Sequence, residues 1–341
     1  MMPGCALPDA VAALPEAVDP LALSLNENPF PPLPAVRAAL AESMGVANRY
    51  PEFLPQRLRA LIADRVGVAD EQVIIGAGAT GVVQQVLAAV TSPGDVMVMS
   101  HPTFDGYPIL AQMARLRSST VALDRYGHHD LDAMAAAADR ARVVVLCRPH
   151  NPTGTIESVA AVEDFLTRIP ADTVVLLDEA YVEFLAPSLR LDAVGLVRRF
   201  SNLVVVRTFS KAYGLAGLRI GYGFCGAGLA ERLWSMQLPF GMGIAATIAV
   251  AASYDAEDQL HQRIARINTE GAYLRARLRA GGVYCTDSHA NFIYLPGGPR
   301  DWRSVFDDGD PRVRGYADGG VRVSVGNRKS SRAVLGAIAR A

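Results

Sequence analysis

The middle of the chain alternates short apolar runs with longer segments rich in alanine and leucine. Several runs, such as "RVVVLC" at 142–147, are apolar without alternation, which is typical of strands covered on both faces. Seven such runs lie at 72–76, 96–100, 119–123, 142–147, 173–178, 203–208 and 219–224. Helix candidates lie between most of them, at 80–90, 103–113, 158–168 and 192–200. This order predicts an α/β fold with a seven-stranded, mostly parallel sheet.

The pattern changes after residue 226. Long helices are predicted up to residue 280, and strand-like pieces and a closing helix follow, as expected for a small α+β domain. The proline-rich stretch 26–34 cannot form a helix interior and predicts an extended arm. We therefore expect an N-terminal arm that packs with the small domain (1–39), a large domain (40–240) and a small C-terminal domain (241–341).

Composition excludes several classes of function. The 341 residues carry a formal net charge of −1, which gives no basic footprint for nucleic acid or an anionic membrane. The four cysteines lie far apart without a C-x-x-C pair, and the stretch His128-His129-Asp130 is interpreted as a polar loop, so no metal is expected. Neither a secretory leader nor an apolar run long enough to span a bilayer is found, so we expect a cytoplasmic protein.

A glycine pattern follows the first predicted strand. "IIGAGATGV" at 74–82 has the form G-x-G-x-x-G, but a nicotinamide site also needs an acidic residue at the end of the second strand. That strand ends in Ser100-His101-Pro102, so dinucleotide binding is not expected. A glycine turn that opens a helix still offers free N–H groups and a positive dipole end, which suit any phosphate.

Two further groups stand at strand ends. Asp178 ends a buried apolar run, where an unpaired carboxylate would be costly, and Lys211 follows the run at 203–208. Lys211 and Lys329 are the only lysines in the chain. Taken singly, a loop lysine or a tight strand–helix turn needs no ligand. Together, a phosphate-suited turn, a buried acid and a strand-end amine match the needs of pyridoxal 5′-phosphate.

Longer motifs give these groups a family context. "RPHNPTG" (148–154), "LLDEAYVEF" (176–184) and "RTFSKAYGLAGLRIGYG" (207–223) resemble the hallmark segments of fold-type I, class I and II aminotransferases. They are most similar to the histidinol-phosphate aminotransferase branch, including its aromatic-amino-acid aminotransferase relatives. "NENP", "NRYP" and "VRVSVG" extend the resemblance from about residue 24 towards the C-terminus.

The resemblance implies a role for each matching residue. Lys211 would bond to the cofactor's aldehyde and then move the proton from the substrate Cα. Asp178 would keep the pyridine nitrogen protonated, while Asn151 and Tyr181 would hydrogen-bond to the phenolic oxygen. The remaining expected contacts are Gly78, Ala79, Thr80, Ser210 and Arg219 with the phosphate, Phe104 on the ring face, and Arg322, Arg314 and Asn26 with the substrate. Tyr50 would reach the cofactor of a neighbouring subunit, which implies a homodimer with shared sites.

The activity implied is a pyridoxal-phosphate-dependent aminotransferase. It would move an amino group between an amino acid or amino-alcohol phosphate and a 2-oxo acid, with 2-oxoglutarate as the usual acceptor. Two departures loosen the link to histidinol phosphate: no aromatic-Pro-Gly segment precedes Asn26, and Thr80-Gly81 replaces an acidic pair. The donor is left open between histidinol phosphate, an aromatic amino acid and a specialised-pathway amino acid. A decarboxylase of the threonine-phosphate type is the alternative on the same fold.

Overall fold

The apolar runs of the sequence form one seven-stranded sheet. The computed structural model describes residues 15–307 and 309–340, so the first 14 residues of the predicted arm lie outside the described part. The strands are β1 (Val73–Ala77), β2 (Val96–His101), β3 (Arg117–Ala122), β4 (Val143–Cys147), β5 (Val174–Asp178), β6 (Leu203–Thr208) and β7 (Ile220–Cys225). Their order across the sheet is β1-β7-β6-β5-β4-β2-β3. Strands β2 to β6 pair in parallel, and β7 is antiparallel to both neighbours, which confirms the mostly parallel sheet.

Helices cover both faces of this sheet. In β6, Val205 packs in a larger apolar cluster on one face, while Val204 and Val206 pack in a smaller one on the other. Such two-sided burial explains why the strands read as continuous apolar runs rather than as alternating ones. The helices up to residue 234 are α1 (Pro34–Ser43), α2 (Gln56–Val66), α3 (Gly78–Val90), α4 (Gly106–Met113), α5 (Leu131–Ala138), α6 (Val159–Arg168), α7 (Ala193–Arg199) and α8 (Ala227–Trp234).

Helix starts follow local chemistry. The side chains of Asp130, Ser158 and Asp192 accept hydrogen bonds from backbone N–H groups of α5, α6 and α7 respectively, which satisfies otherwise free donors. Helix α4 begins at Gly106 rather than at the predicted residue 103. The chain leaves β2 through Pro102, and Tyr107 N–H bonds to the Phe104 carbonyl, so a turn takes up the residues before the helix.

A second, three-stranded sheet lies in the C-terminal part. It contains β8 (Phe292–Leu295), β9 (Arg314–Gly315) and β10 (Val321–Ser324) in the antiparallel order β8-β10-β9. The accompanying helices are α9 (Ile244–Asp255), α10 (Glu257–Ala280), α11 (Trp302–Val305) and α12 (Arg328–Arg340). Within the described ranges, no helix combines the length and apolarity that crossing a membrane requires.

The arm hydrogen-bonds to the small sheet. Leu23 accepts a bond from the Ser324 N–H at the end of β10, and its own N–H donates to the Arg312 carbonyl, both at 2.9 Å. Ala22 and Arg312 form an isolated parallel bridge. The division into an arm, a large domain and a small domain, with boundaries at residues 39 and 240, stays a proposal.

Candidate active site

A cavity of about 390 Å³ opens at the carboxyl ends of the parallel strands, where open α/β sheets bind ligands. It brings together residues from β5, from the segments after β4 and β6, from the arm and from the small sheet. The predicted residues that line it are Asn26, Ala79, Thr80, Phe104, Asn151, Asp178, Tyr181, Ser210, Lys211, Arg219, Arg314 and Arg322. Gly78 lies beside the cavity, in contact with Arg219, whereas Tyr50 lies outside it.

Lys211 presents its amine to the cavity. The residue follows β6, is partly buried, and its Nζ donates a hydrogen bond to the Leu25 carbonyl of the arm at 2.8 Å. Removal of water from the amine, together with the positive charge of Arg322, lowers the pKa of Lys211 to about 8. A lysine with this pKa carries a useful share of free amine near neutral pH, as a nucleophile or base requires.

Asp178 is the last residue of β5 and is buried. Its Oδ1 accepts a hydrogen bond from the Ala180 N–H at 2.9 Å, and its Oδ2 accepts one from the Tyr107 hydroxyl. Burial raises the pKa of Asp178, and the Tyr107 hydrogen bond acts against that rise. Sequence reasoning missed Tyr107. A sequence signal for such a residue does exist, because a buried carboxylate is unfavourable unless a neighbouring element supplies a hydrogen-bond donor.

Arg322 lies on β10 and is 5% exposed. Its Nη1 donates to Asn151 Oδ1 and, at 3.3 Å, to the Tyr316 hydroxyl, while Nη2 donates to the Ser24 carbonyl at 2.6 Å. Among the residues that the structure describes, its Nε has no hydrogen-bond partner. Three of the five N–H donors of this buried guanidinium are used, so it is suited to an anion that can accept from the others.

Asn26 and Tyr181 connect the arm to the strand end. Asn26 is 1% exposed, and its Nδ2 donates to the Tyr181 hydroxyl at 3.0 Å. Asn26 has a φ of 55°, in the left-handed region that few non-glycine residues adopt. Burial raises the pKa of Tyr181, so this hydroxyl stays protonated and can donate a hydrogen bond into the cavity.

The start of α3 and the residue before β7 form a close-packed turn. Gly78 has a φ of 75°, and a Cβ at this position would overlap the Arg219 guanidinium. Arg219 itself has a φ of 54° and bonds through Nη1 to Ser210 Oγ at 3.3 Å. A positive φ is ordinary for glycine, but for a residue such as Arg219 it is uncommon and is found most often where a binding site fixes the chain. The turn therefore needs glycine so that a guanidinium and a helix N-terminus can face the same point.

Two aromatic residues differ in their placement. Phe104 lines the cavity and packs edge-to-face with Tyr107, with ring centroids 5.4 Å apart. Tyr50 is 82% exposed, and its ring lies 4.8 Å from that of Phe240. The structure therefore brings Phe104, but not Tyr50, to the site within one subunit.

Two ion pairs adjoin the site. Arg314 Nη2 lies 3.0 Å from Asp105 Oδ2, and both residues line the cavity. Behind the strand ends, Arg207 Nε and Nη2 donate to Glu179 Oε2 at 2.9 and 2.8 Å, and the Glu179 side chain is fully buried. Sequence reasoning missed Asp105 and the Arg207 partner of Glu179. In the described residues, no group of three or more His, Cys, Asp or Glu side chains is arranged to hold a metal ion.

The chain is similar to known aminotransferases in sequence and in structure. The profile of the family "Aminotransferase class I and II" matches residues 18–338. An aromatic amino acid aminotransferase of Streptomyces avermitilis is 41% identical over 312 residues, covering 91% of this chain and 87% of that protein. A protein of the same name from Rhodococcus opacus is 39% identical, covering 92% and 88%.

A solved structure agrees with this assignment. Histidinol-phosphate aminotransferase from Sinorhizobium meliloti, in complex with pyridoxal-5′-phosphate, has a TM-score of 0.85 and 26% identity, covering 93% of this chain and 89% of that one. The transaminase hypothesis stands over the decarboxylase alternative. The chain therefore belongs to the class I and II aminotransferases of fold-type I, and its predicted activity as a transaminase is confirmed.

Proposed function

We propose that this enzyme uses pyridoxal 5′-phosphate to transfer the amino group of an aromatic amino acid to a 2-oxo acid such as 2-oxoglutarate. The observation that carries the proposal is that Arg322 and Lys211 line the same cavity. In the described residues Arg322 uses three of its five N–H donors, so its guanidinium suits the α-carboxylate of an amino acid. Leu25 and Phe104 add apolar surface to the same cavity, and relatives named for aromatic donors support that substrate class.

The donor set fits pyridoxal 5′-phosphate at each of its functional groups. The N-terminus of α3, the Ser210 hydroxyl and the Arg219 guanidinium converge where a phosphate would be held, and the Gly78 turn leaves room for them. Asp178 offers a buried carboxylate to a ring nitrogen, and Lys211 offers an amine to an aldehyde. Ala79, Thr80 and Phe104 complete the proposed contacts.

The protein residues would bind, orient and move protons. The cofactor, when bound, supplies an aldehyde that takes up the amino group and a ring that accepts electrons from the substrate Cα. Lys211, freed from that aldehyde by the substrate, would take the Cα proton and return it. The Asp178 carboxylate would keep the ring nitrogen protonated. Asn151 and Tyr181 would hydrogen-bond to the phenolic oxygen of the ring.

Substrate orientation is assigned to the small sheet and the arm. Arg322 would hold the α-carboxylate, with Asn151 and Tyr316 fixing the guanidinium plane through the hydrogen bonds described above. Asn26, bonded to Tyr181, would close the same side of the cavity. Arg314 lies further out and, in this proposal, faces the substrate side chain.

The proposal includes a homodimer in which Tyr50 contributes to the partner's site. Tyr50 belongs to a surface cluster of exposed apolar side chains with Phe53, Leu238 and Phe240. Clusters of this kind mark interaction surfaces in soluble proteins. In sedimentation velocity the wild type should be a dimer. Phe240→Asp, which introduces a negative charge into the cluster, should dimerise more weakly. A wild-type monomer would remove this part of the proposal.

A panel of amino donors tests the proposed substrate. Phenylalanine, tyrosine, tryptophan, glutamate and histidinol phosphate are each supplied with 2-oxoglutarate or, for glutamate, with phenylpyruvate. We expect the highest kcat/KM with an aromatic donor and loss of turnover in Lys211→Ala. Lys329→Ala, which alters the only other lysine, is the matched control. Turnover with histidinol phosphate but with none of the aromatic donors would overturn the proposal.

A further inference from the structure

Two arginines lie directly opposite each other at the cavity. Arg314 on β9 and Arg322 on β10 are register partners, and both line the cavity. Like charges in this relation repel, so each needs a partner. Arg322 is buried and bonded to neutral oxygen acceptors, whereas the Arg314 side chain is 48% exposed and pairs with Asp105. The inner guanidinium is therefore still free to bind an anion, while the outer one already has a carboxylate.

Asp105 is placed unusually for its sequence position. It immediately precedes α4, where an aspartate side chain commonly accepts a hydrogen bond from a free backbone N–H. Among the described residues its carboxylate makes no such bond, and it lies instead 3.0 Å from Arg314 of the small sheet. The contact joins the start of α4 to β9 of the small sheet, and both residues line the cavity.

We propose that Asp105 is a specificity-determining residue that pairs with Arg314 and so keeps it from binding an anionic substrate side chain. The inference deepens the proposed function, since it assumes that Arg322 binds the α-carboxylate. A substrate with an uncharged side chain leaves the Asp105–Arg314 pair intact. A substrate with a second anionic group, a carboxylate or a phosphate, has to displace Asp105 from Arg314 and meets its negative charge. The pair thus lowers the affinity for substrates with two anionic groups, the acceptor 2-oxoglutarate included, relative to donors with neutral side chains.

The pair is exposed, so its effect is modest. Ion pairs at this exposure contribute little in water, and the repulsion between Asp105 and an incoming anion adds to the effect. Removal of the Asp105 charge should raise the preference for anionic side chains by about three- to tenfold.

The test uses the holoenzyme with Asp105→Asn. We expect the ratio of kcat/KM for glutamate to that for phenylalanine to rise about three- to tenfold. Asp301→Asn is the matched control, because Asp301 pairs with Arg303 at 2.6 Å at similar exposure and lies outside the cavity. In an Arg314→Gln background the Asp105→Asn effect should become smaller, because only the direct repulsion between Asp105 and the anion remains.

Competitive inhibitors separate this inference from the proposed function. Maleate carries two carboxylates and 3-phenylpropanoate carries one, and neither is turned over. Their Ki ratio should shift towards maleate in Asp105→Asn whether or not phenylalanine proves to be a donor. An unchanged ratio, or the same shift in the Arg314→Gln background, would overturn the assignment of Asp105. A wild type inactive on aromatic donors, with the Ki shift present, would overturn the proposed donor alone.

Discussion

Lys211 should titrate as an unusually acidic amine. Burial and the nearby Arg322 charge lower its pKa to about 8. At pH 8, about half of such an amine is unprotonated, against roughly 0.4% for an ordinary lysine with a pKa near 10.4. At this pH, and for equal access of the reagent, Lys211 should therefore react with an amine-directed reagent on the order of a hundredfold faster than an ordinary lysine does.

The assay is competitive labelling of the cofactor-free protein with acetic anhydride between pH 6 and 11, with each lysine peptide quantified by mass spectrometry. The exposed Lys329 serves as the internal reference, because it is the only other lysine. We expect a Lys211 labelling midpoint near pH 8, and a higher midpoint in Arg322→Gln, which removes a charge that lowers the pKa. A Lys211 midpoint near 10.4 would refute the electrostatic reasoning.

Three substitutions test other contacts of the site. Arg207→Gln leaves the buried Glu179 carboxylate without its cation and should lower the free energy of unfolding, measured in urea, by about 3 kcal/mol. Tyr107→Phe removes the hydrogen bond that lowers the pKa of Asp178; because burial already raises that pKa, the acid limb of the kcat–pH profile should move to higher pH. Gly78→Ala combines a positive φ with a steric overlap and should weaken pyridoxal phosphate binding at least about tenfold in an absorbance titration.

Each of these variants has a control and a contradicting result. Arg199→Gln breaks an exposed pair with Glu163 and should change the free energy of unfolding by less than about 1 kcal/mol. If Arg207→Gln changed it by no more than Arg199→Gln does, the argument from the buried pair would be contradicted. Tyr126→Phe alters an exposed tyrosine, and an acid limb that stays in place in Tyr107→Phe would contradict the Asp178 argument. Gly228→Ala adds a Cβ in open space and should leave cofactor affinity unchanged. Equal cofactor affinities of Gly78→Ala and Gly228→Ala would contradict the argument from steric overlap at Gly78.

The strand-end groups were predictable because their positions follow from the apolar runs. Asp178 ends β5 and Lys211 follows β6, and parallel strands bring those ends to one edge. The roles of Tyr107 and Asp105 were not predictable in this way. Both depend on α4 starting at Gly106, three residues later than the periodicity indicates. Local patterns do not encode where a turn stops and a helix begins.

The contact between the small sheet and the start of α4 was also not predictable from the sequence. Arg314 was a candidate for substrate binding, but its pairing with Asp105 requires β9 and the start of α4 to meet, and no sequence spacing reports that meeting. The Arg207–Glu179 pair was closer to prediction, since both residues belong to neighbouring parallel strand ends. Register between the strands, which the sequence leaves open, decided whether the two side chains would meet.

The arm has a consequence for how tightly this enzyme can hold its reactants. The carbonyl oxygens of Ser24 and Leu25 already accept hydrogen bonds from Arg322 and Lys211, at 2.6 and 2.8 Å. A carboxylate oxygen that binds at Nη2 of Arg322 has to replace the Ser24 carbonyl, while the N–H donors of Arg322 that have no partner can add a bond outright. The exchanged bond adds only the difference between two acceptors to the free energy of association, which limits how tightly the reactants are held.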